Sequence, residues 1–96
     1  MNQIIKKEFY TVPELSKDLE LTERAIRYYE SRGLIFPKRA GNTRIFSRRD
    51  RARLVIIKRG KQLGSSLADL KKILDLYDVD PNHHIQAEAV LGAIGD

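Results

Sequence analysis

The sequence contains no cysteine and no tryptophan among its 96 residues. The absence of cysteine excludes disulfides, thiol redox sensing and thiolate metal sites. No apolar run approaches the roughly 18 residues that a membrane-spanning helix requires, and the N-terminal MNQIIKKEF lacks the apolar segment of a signal peptide. We therefore expect a cytoplasmic chain with no membrane partner, stabilised by packing in one modest core.

Basic residues are absent beyond Lys72, where five acidic residues follow. By contrast, the segment 24–61 holds 13 Lys and Arg residues against two acidic ones, Glu30 and Asp50. A segment this basic, interrupted by apolar residues at folding periodicity, is typical of a polyanion binder. The alternative interpretation is a solvated surface with an accidental excess of positive charge.

Capping signals predict two short helices near the N-terminus. Thr11-Val12-Pro13-Glu14 combines an N-cap residue, a first-turn proline and an acid three positions later, so helix one should run from Val12 to Asp18 or Leu19. Thr22 is the next expected N-cap, with helix two spanning Glu23 to Ser31 and ending at Gly33. Two short helices joined by a few residues predict a helix-turn-helix.

The segment that follows predicts a small β-hairpin. Leu34–Pro37 and Arg44–Phe46 are short β-prone pieces on either side of the turn signal Gly41-Asn42. A hairpin of this size is unstable alone and has to pack against the helices. We expect it to form a wing with a basic tip.

Three further helices are expected. Ser47 to Asp50 forms a second capping box that begins helix three, which should run to about Leu63. Gly60 within this helix permits close approach of another helix. Its predicted buried side consists of Ala52, Val55, Ile56, Ile57 and Leu63, and helix four, opened by Ser66, carries the apolar stripe Leu67, Leu70, Ile73, Leu74 and Tyr77. Asp80-Pro81 is a start signal for a fifth helix.

These elements define the expected fold class and domain organisation. The fold is mainly α, a winged helix-turn-helix of four helices and a β-hairpin wing, with a short C-terminal helix. We expect residues 1–79 to form the winged helix-turn-helix domain and residues 80–96 to begin a dimerisation or linker helix that is truncated.

Helix two is the predicted reading helix. Arg24, Arg27, Tyr28 and Ser31 are spaced three or four apart and share a face. Ile26 and either Tyr29 or Glu30 turn to the other side. An Arg guanidinium suits phosphate oxygens or the guanine edge, and a tyrosine offers a ring to the sugar and a hydroxyl to a phosphate. For both Tyr28 and Tyr29 the alternative is an ordinary core or surface position.

The wing and helix three extend the basic surface. The wing adds Lys38, Arg39 and Arg44, and a wing of this kind contacts the DNA backbone or the adjacent minor groove. Helix three carries Arg48, Arg49, Lys58 and Lys61. Of these four we expect only Lys61 and one arginine, for which we select Arg48, to contact phosphate.

The sequence shows no catalytic pattern. There is no Ser-His-Asp set, no phosphate-cradling glycine loop and no convergent pair of carboxylates. His83 and His84 are adjacent, so on a helix they point in different directions, and no third ligand lies nearby. We expect neither an enzyme nor a cofactor or metal site.

Several motifs in fixed order resemble the N-terminal domain of the MerR family of transcription regulators. The matching positions are Tyr10–Ser16, Leu21–Ile35, Pro37, Asn42–Ser47, Asp50, Leu63-Gly64 and Ser66-Leu67. The resemblance implies a homodimer, formed through a full coiled coil, that binds double-stranded promoter DNA at a pseudo-palindromic operator. It also implies that the protein bends and untwists the promoter spacer, acting on RNA polymerase indirectly.

The resemblance also implies roles for individual residues. It implies DNA contacts for Arg24, Arg27, Tyr28 and Tyr29, a wing contact for Arg44 and a phosphate contact for Lys61. The chain departs from the family pattern at Thr43, where an aromatic residue is usual, at Phe46, where tyrosine is common, and in its short C-terminal segment.

Two other functions remain open at the level of sequence. One is a compact architectural winged-helix protein, excisionase-like or terminase-like, that bends DNA without an effector. The other is a protein-interaction adaptor that docks through its acidic, apolar C-terminal segment. The sequence does not disclose the operator, an effector ligand, the regulated genes or whether binding activates or represses.

Overall fold

The computed structural model describes residues 8–77, which form four helices and a three-stranded antiparallel sheet. In chain order the elements are β1 (Phe9–Tyr10), α1 (Val12–Leu19), α2 (Glu23–Ser31), β2 (Lys38–Ala40), β3 (Thr43–Ser47), α3 (Arg48–Gln62) and α4 (Leu67–Tyr77). The mainly α, winged helix-turn-helix class is confirmed. The predicted helix from Pro81, the boundary at residue 79, the side chain of Tyr77 and the His83-His84 pair lie outside the described residues.

Local hydrogen bonds define the helix-turn-helix. The Thr11 hydroxyl accepts from the Glu14 amide at 3.4 Å while the Glu14 carboxylate accepts from the Thr11 amide at 2.9 Å, which completes the predicted capping box. The Thr22 hydroxyl caps α2 by accepting from the Ala25 amide at 2.9 Å. Between the helices Glu20 adopts a left-handed conformation with φ of 57°, which turns the chain from α1 into α2.

The sheet is larger than the predicted hairpin because β1 joins it. Strand β3 is central and pairs with β1 on one side and β2 on the other. In the hairpin, Ala40 opposes Thr43 across the two-residue turn. Gly41, the first central residue, has φ of +65°, a conformation that favours glycine and occurs in type II′ hairpin turns. The wing is therefore anchored to the N-terminal segment as well as to the helices.

The prediction that Leu34–Pro37 forms the first wing strand is wrong, since the strand is Lys38–Ala40. Side chains of α3 occupy the backbone groups that a strand would use: Arg53 Nε donates to the Leu34 carbonyl at 2.7 Å, and the Phe36 amide donates to Asp50 Oδ1 at 2.9 Å. Pro37 has no amide hydrogen to contribute to a ladder. The segment is therefore a linker between α2 and the wing, in which Leu34 and Ile35 are buried and Phe36 is exposed.

The core lies between α1, α2, α3, α4 and the inner side of the sheet. Its buried apolar residues are Val12, Leu15, Leu19, Ile26, Leu34, Ile35, Phe46, Ala52, Leu54, Ile56, Ile57, Leu70, Ile73 and Leu74. Two predictions for α3 were wrong: Leu63 is 50% exposed because the helix ends before it, and Leu54, which was not predicted, is fully buried. Val55 and Leu67 only pack against the rim of the core.

No helix within residues 8–77 has both the length and the hydropathy needed to cross a bilayer.

Candidate nucleic-acid interface

Helix α2 presents a polar, basic face to solvent and an apolar face to the core. Arg24, Arg27 and Tyr28 are exposed, while Ile26 is completely buried. Arg27 contacts Glu23 one turn earlier at 3.5 Å, an exposed ion pair worth little stability. The predicted reading residues are thus brought together on one accessible face.

Tyr29 differs from its neighbour Tyr28. Tyr28 is 49% exposed, whereas Tyr29 is half-buried and packs against the core. The two ring centroids lie 6.0 Å apart with planes tilted by 56°. Burial, with a smaller contribution from Tyr28, raises the pKa of Tyr29 above its ordinary value. The core interpretation therefore holds in part for Tyr29, whose ring supports the helix that carries the exposed face.

The two wing arginines of the predicted site meet helix α2 through Glu30. Arg44 Nε donates to Glu30 Oε1 at 2.6 Å, and Arg39 lies 3.9 Å from Glu30 Oε2. Arg39 and Arg44 are cross-strand partners of β2 and β3, so this contact joins the wing to the reading helix. Sequence reasoning missed Glu30 as a partner because the three residues are far apart along the chain.

The basic residues of α3 are distributed along its length. Arg48 is partly buried in the first turn. Lys61, near the C-terminal end, is exposed, and its Nζ donates to the Ser65 carbonyl at 3.4 Å, within the α3–α4 junction. Lys58 Nζ donates to the Leu19 carbonyl at 2.6 Å and so helps to end α1. Arg48 directly follows strand β3 of the wing, whereas Lys61 lies at the opposite end of α3.

Two buried charged residues of α3, Asp50 and Arg53, contact the segment between α2 and the wing, and the sequence predicted only the capping role of Asp50. Asp50, 3% exposed, accepts from the amides of Phe36 and Ser47. Arg53, 4% exposed, donates to the carbonyls of Leu34 (2.7 Å) and Leu74 (3.5 Å). For Arg53, and for the hydrogen bond from the Phe36 amide to Asp50, the one sequence signal is a charge on the buried side of a predicted helix. Together they fix the linker that leads from α2 into the wing.

Other kinds of site are not supported by the described surface. Across residues 8–77, no three His, Asp or Glu side chains converge to hold a metal ion. The groove between α1 and α3 is shallow, with a volume of about 280 Å³, and is lined by Asp18, Leu19, Val55, Lys58, Arg59 and Gln62. The basic face of α2 and the wing beside it remain the prominent functional feature.

A helix-turn-helix with a basic reading face and a β-hairpin wing defines the class of winged-helix DNA-binding proteins. A family model described as "MerR HTH family regulatory protein" matches residues 10–76. The chain therefore belongs to the MerR family of transcriptional regulators, and the described part is its DNA-binding domain. This family is not enzymatic, as the sequence led us to expect.

Known proteins from several bacteria are similar to this chain. The HTH-type transcriptional regulator ZntR of Escherichia coli K12 is 34% identical over 82 residues, covering 83% of this chain and 57% of ZntR. HmrR of Rhizobium leguminosarum is 37% identical over 68 residues, covering 70% of this chain and 53% of HmrR. The chain thus spans a little over half the length of these relatives.

Solved structures share the fold. The transcriptional regulator SkgA of Caulobacter crescentus superposes with a TM-score of 0.70 at 26% identity, over 93% of this chain and 66% of SkgA. HiNmlR, described as a MerR family regulator lacking the sensor domain and bound to promoter DNA, superposes with a TM-score of 0.69 at 20% identity, over 88% of this chain and 66% of HiNmlR. The second likeness establishes the fold alone.

Proposed function

We propose that this chain binds a pseudo-palindromic promoter operator in double-stranded DNA as a dimer, with α2 in the major groove. The observation that carries the proposal is the exposed face of Arg24, Arg27 and Tyr28, supported by the buried Ile26 behind it. A helix of this kind places guanidinium groups against base edges, because the major groove admits an α-helix. The net charge of +5 supplies the attraction to phosphate.

Each proposed site residue has a distinct role. Arg24 and Arg27 read base edges or the flanking phosphates, Tyr28 contacts the sugar-phosphate backbone, and Tyr29 offers its hydroxyl from the rim of the core. Arg39 and Arg44 contact the backbone beside the reading helix or enter the minor groove. Arg48 and Lys61, both on α3, contact phosphates.

The wider mechanism belongs to the same proposal. The promoter DNA bound to HiNmlR supports promoter DNA as the target of this chain. We place the protein in the cytoplasm, with dimerisation through a segment that begins at residues 80–96. A dimer bound to two half-sites would bend and untwist the spacer between them. RNA polymerase would then respond to the altered promoter rather than to a direct contact with this protein.

Two substitutions distinguish a residue that reads bases from a residue that contacts only phosphate. Arg27→Ala should cost about 1–3 kcal/mol of binding free energy and relax sequence preference at one position of the operator. Lys61→Ala should weaken binding to all duplexes alike and lower the salt slope by about one. Binding of both variants to an operator and to a scrambled duplex, at several salt concentrations, measures the difference. Identical behaviour of the two variants would contradict the assignment of roles.

A further inference from the structure

Glu30 is an acidic residue at the centre of a basic surface. Between residues 24 and 61 the sequence has two acidic residues. One of them, Asp50, is buried and holds the start of α3 through hydrogen bonds to Ser47 and Phe36. The other, Glu30, lies on the reading helix with 23% of its side chain exposed. A carboxylate next to a DNA-binding face repels phosphate and so weakens binding. Glu30 is therefore expected to favour binding in another way.

Glu30 contacts both arginines of the wing. Its Oε1 accepts from Arg44 Nε at 2.6 Å, and its Oε2 lies 3.9 Å from the guanidinium of Arg39. Both oxygens therefore face the wing. Arg39 and Arg44 stand directly opposite each other on β2 and β3. Like charges at such a position destabilise a strand pair, and the carboxylate of Glu30 offsets their repulsion.

The geometry of the Arg44 contact leaves the guanidinium capable of binding DNA. A guanidinium has five N–H donors in a planar fork, and the hydrogen bond to Glu30 uses the single donor on Nε. The four donors on the terminal nitrogens take no part in this hydrogen bond. Arg44 has 28% of its side chain exposed, so part of the side chain remains accessible.

We infer that Glu30 is a positioning residue that fixes the orientation of Arg44, and thereby the spacing between the wing contact and the reading helix. This inference rests on the proposed function. Holding Arg44 in one orientation before binding reduces the side-chain entropy lost on the operator. On a non-specific duplex the reading helix has no fixed register, so Arg44 has no fixed phosphate to contact and Glu30 contributes only its repulsion of phosphate.

The test is the variant Glu30→Gln, compared with Glu20→Gln as a control. Glu20 also carries one negative charge, is 85% exposed and lies in the turn between α1 and α2, away from the wing contacts. Fluorescence anisotropy at fixed salt measures affinity for an operator duplex and for a scrambled duplex of equal length. We expect Glu30→Gln to weaken operator binding about tenfold. Its affinity for the scrambled duplex should equal or exceed that of the parent, while Glu20→Gln should leave the operator preference intact.

Two further measurements separate positioning from other roles. In a background of Arg44→Ala, Glu30→Gln should cause little further loss of operator binding, because the group that it positions is gone. In the free protein, the NMR signal of the Arg44 Nε proton should be protected from solvent exchange and should lose that protection in Glu30→Gln. The second measurement needs no DNA.

The inference is overturned if Glu30→Gln binds both duplexes more tightly, since Glu30 would then act only by repulsion. It is also overturned if both affinities fall equally with a lower melting temperature, or if the Arg44 Nε proton is equally exposed in both proteins. A parent chain that shows no preference for any operator would instead contradict the proposed function, and the NMR comparison would still decide whether Glu30 holds Arg44.

Discussion

Gly60 of α3 lies directly against the side chain of Leu70 of α4. A Cβ atom built at position 60 would lie 3.1 Å from Leu70 Cγ and would overlap one of its methyl groups. Both residues are buried, and Leu70 is completely inaccessible to solvent. The closeness of α3 and α4 therefore depends on the absence of a side chain at this position.

Gly60→Ala should lower the free energy of unfolding by about 1–3 kcal/mol, the usual cost of overpacking a core. Helix propensity alone would raise stability by up to roughly 1 kcal/mol, so the sign of the change is informative. Urea denaturation followed by circular dichroism measures it. Combining Gly60→Ala with Leu70→Ala should remove the overlap, so that the alanine at 60 becomes neutral or favourable in that background. A stabilising effect in the parent protein would refute the contact.

Arg53→Met should lower the free energy of unfolding by about 1–3 kcal/mol, since it leaves the Leu34 carbonyl without its buried donor. The guanidinium of Arg53 also lies 5.2 Å from the centre of the Phe36 ring, a contact that methionine retains only in part. Arg51→Met on the same helix is the matched control. Arg51 pairs with Asp18 at 2.8 Å near the surface, and such pairs contribute about 1 kcal/mol or less. Equal losses in the two variants would show that Arg53 has no special structural role.

Stability should fall at alkaline pH in part through Tyr29. Burial raises the pKa of its phenol in the folded state above the value of the unfolded chain, so the folded state holds this proton more tightly. The contribution is fully present below pH of about 10 and is lost as the pH rises through the folded pKa. Between pH 9 and 11, Tyr29→Phe should therefore lose less unfolding free energy than the parent. Parallel curves for the two proteins would contradict the burial of the hydroxyl.

Tyr28→Phe provides a second check on the same group. The neighbouring Tyr28 is the smaller of the two causes that raise the pKa of Tyr29. Its removal should shift the titration of Tyr29 downward, toward the ordinary value, without abolishing the effect of burial. The chemical shift of the Tyr29 ring carbons as a function of pH reports this directly.

The parts of the fold that could be predicted from sequence are those governed by local interactions. The bounds of α2 and the start of α3 follow from Thr22 and from the Ser47–Asp50 capping box, whose donors and acceptors lie within one turn. The close approach at Gly60 was also predicted, because glycine inside a helix signals contact. The two helix starts depend on residues within one turn of each other, whereas the close approach at Gly60 involves Leu70 on another helix.

The parts that could not be predicted depend on contacts between distant residues. Strand β1 has two residues and exists only through pairing with β3, as Tyr10 with Phe46. The linker at Leu34 is kept out of the sheet by Arg53, 19 positions later. At the candidate site, spacing placed Arg24, Arg27 and Tyr28 on one face, but the contact between Glu30 and Arg44 spans 14 positions and leaves no periodic signal.

Operator reading is best tested by a salt titration of binding to a palindromic promoter duplex and to a scrambled duplex of equal length, with mass measured by light scattering. We expect a strong preference for the palindrome, two chains per site and a steep loss of affinity with salt on both duplexes. Equal, salt-dependent affinity of a monomer for both duplexes would contradict operator reading and would favour an architectural DNA-binding protein. Absence of binding to either duplex would contradict DNA binding by this chain and would favour a protein-interaction adaptor.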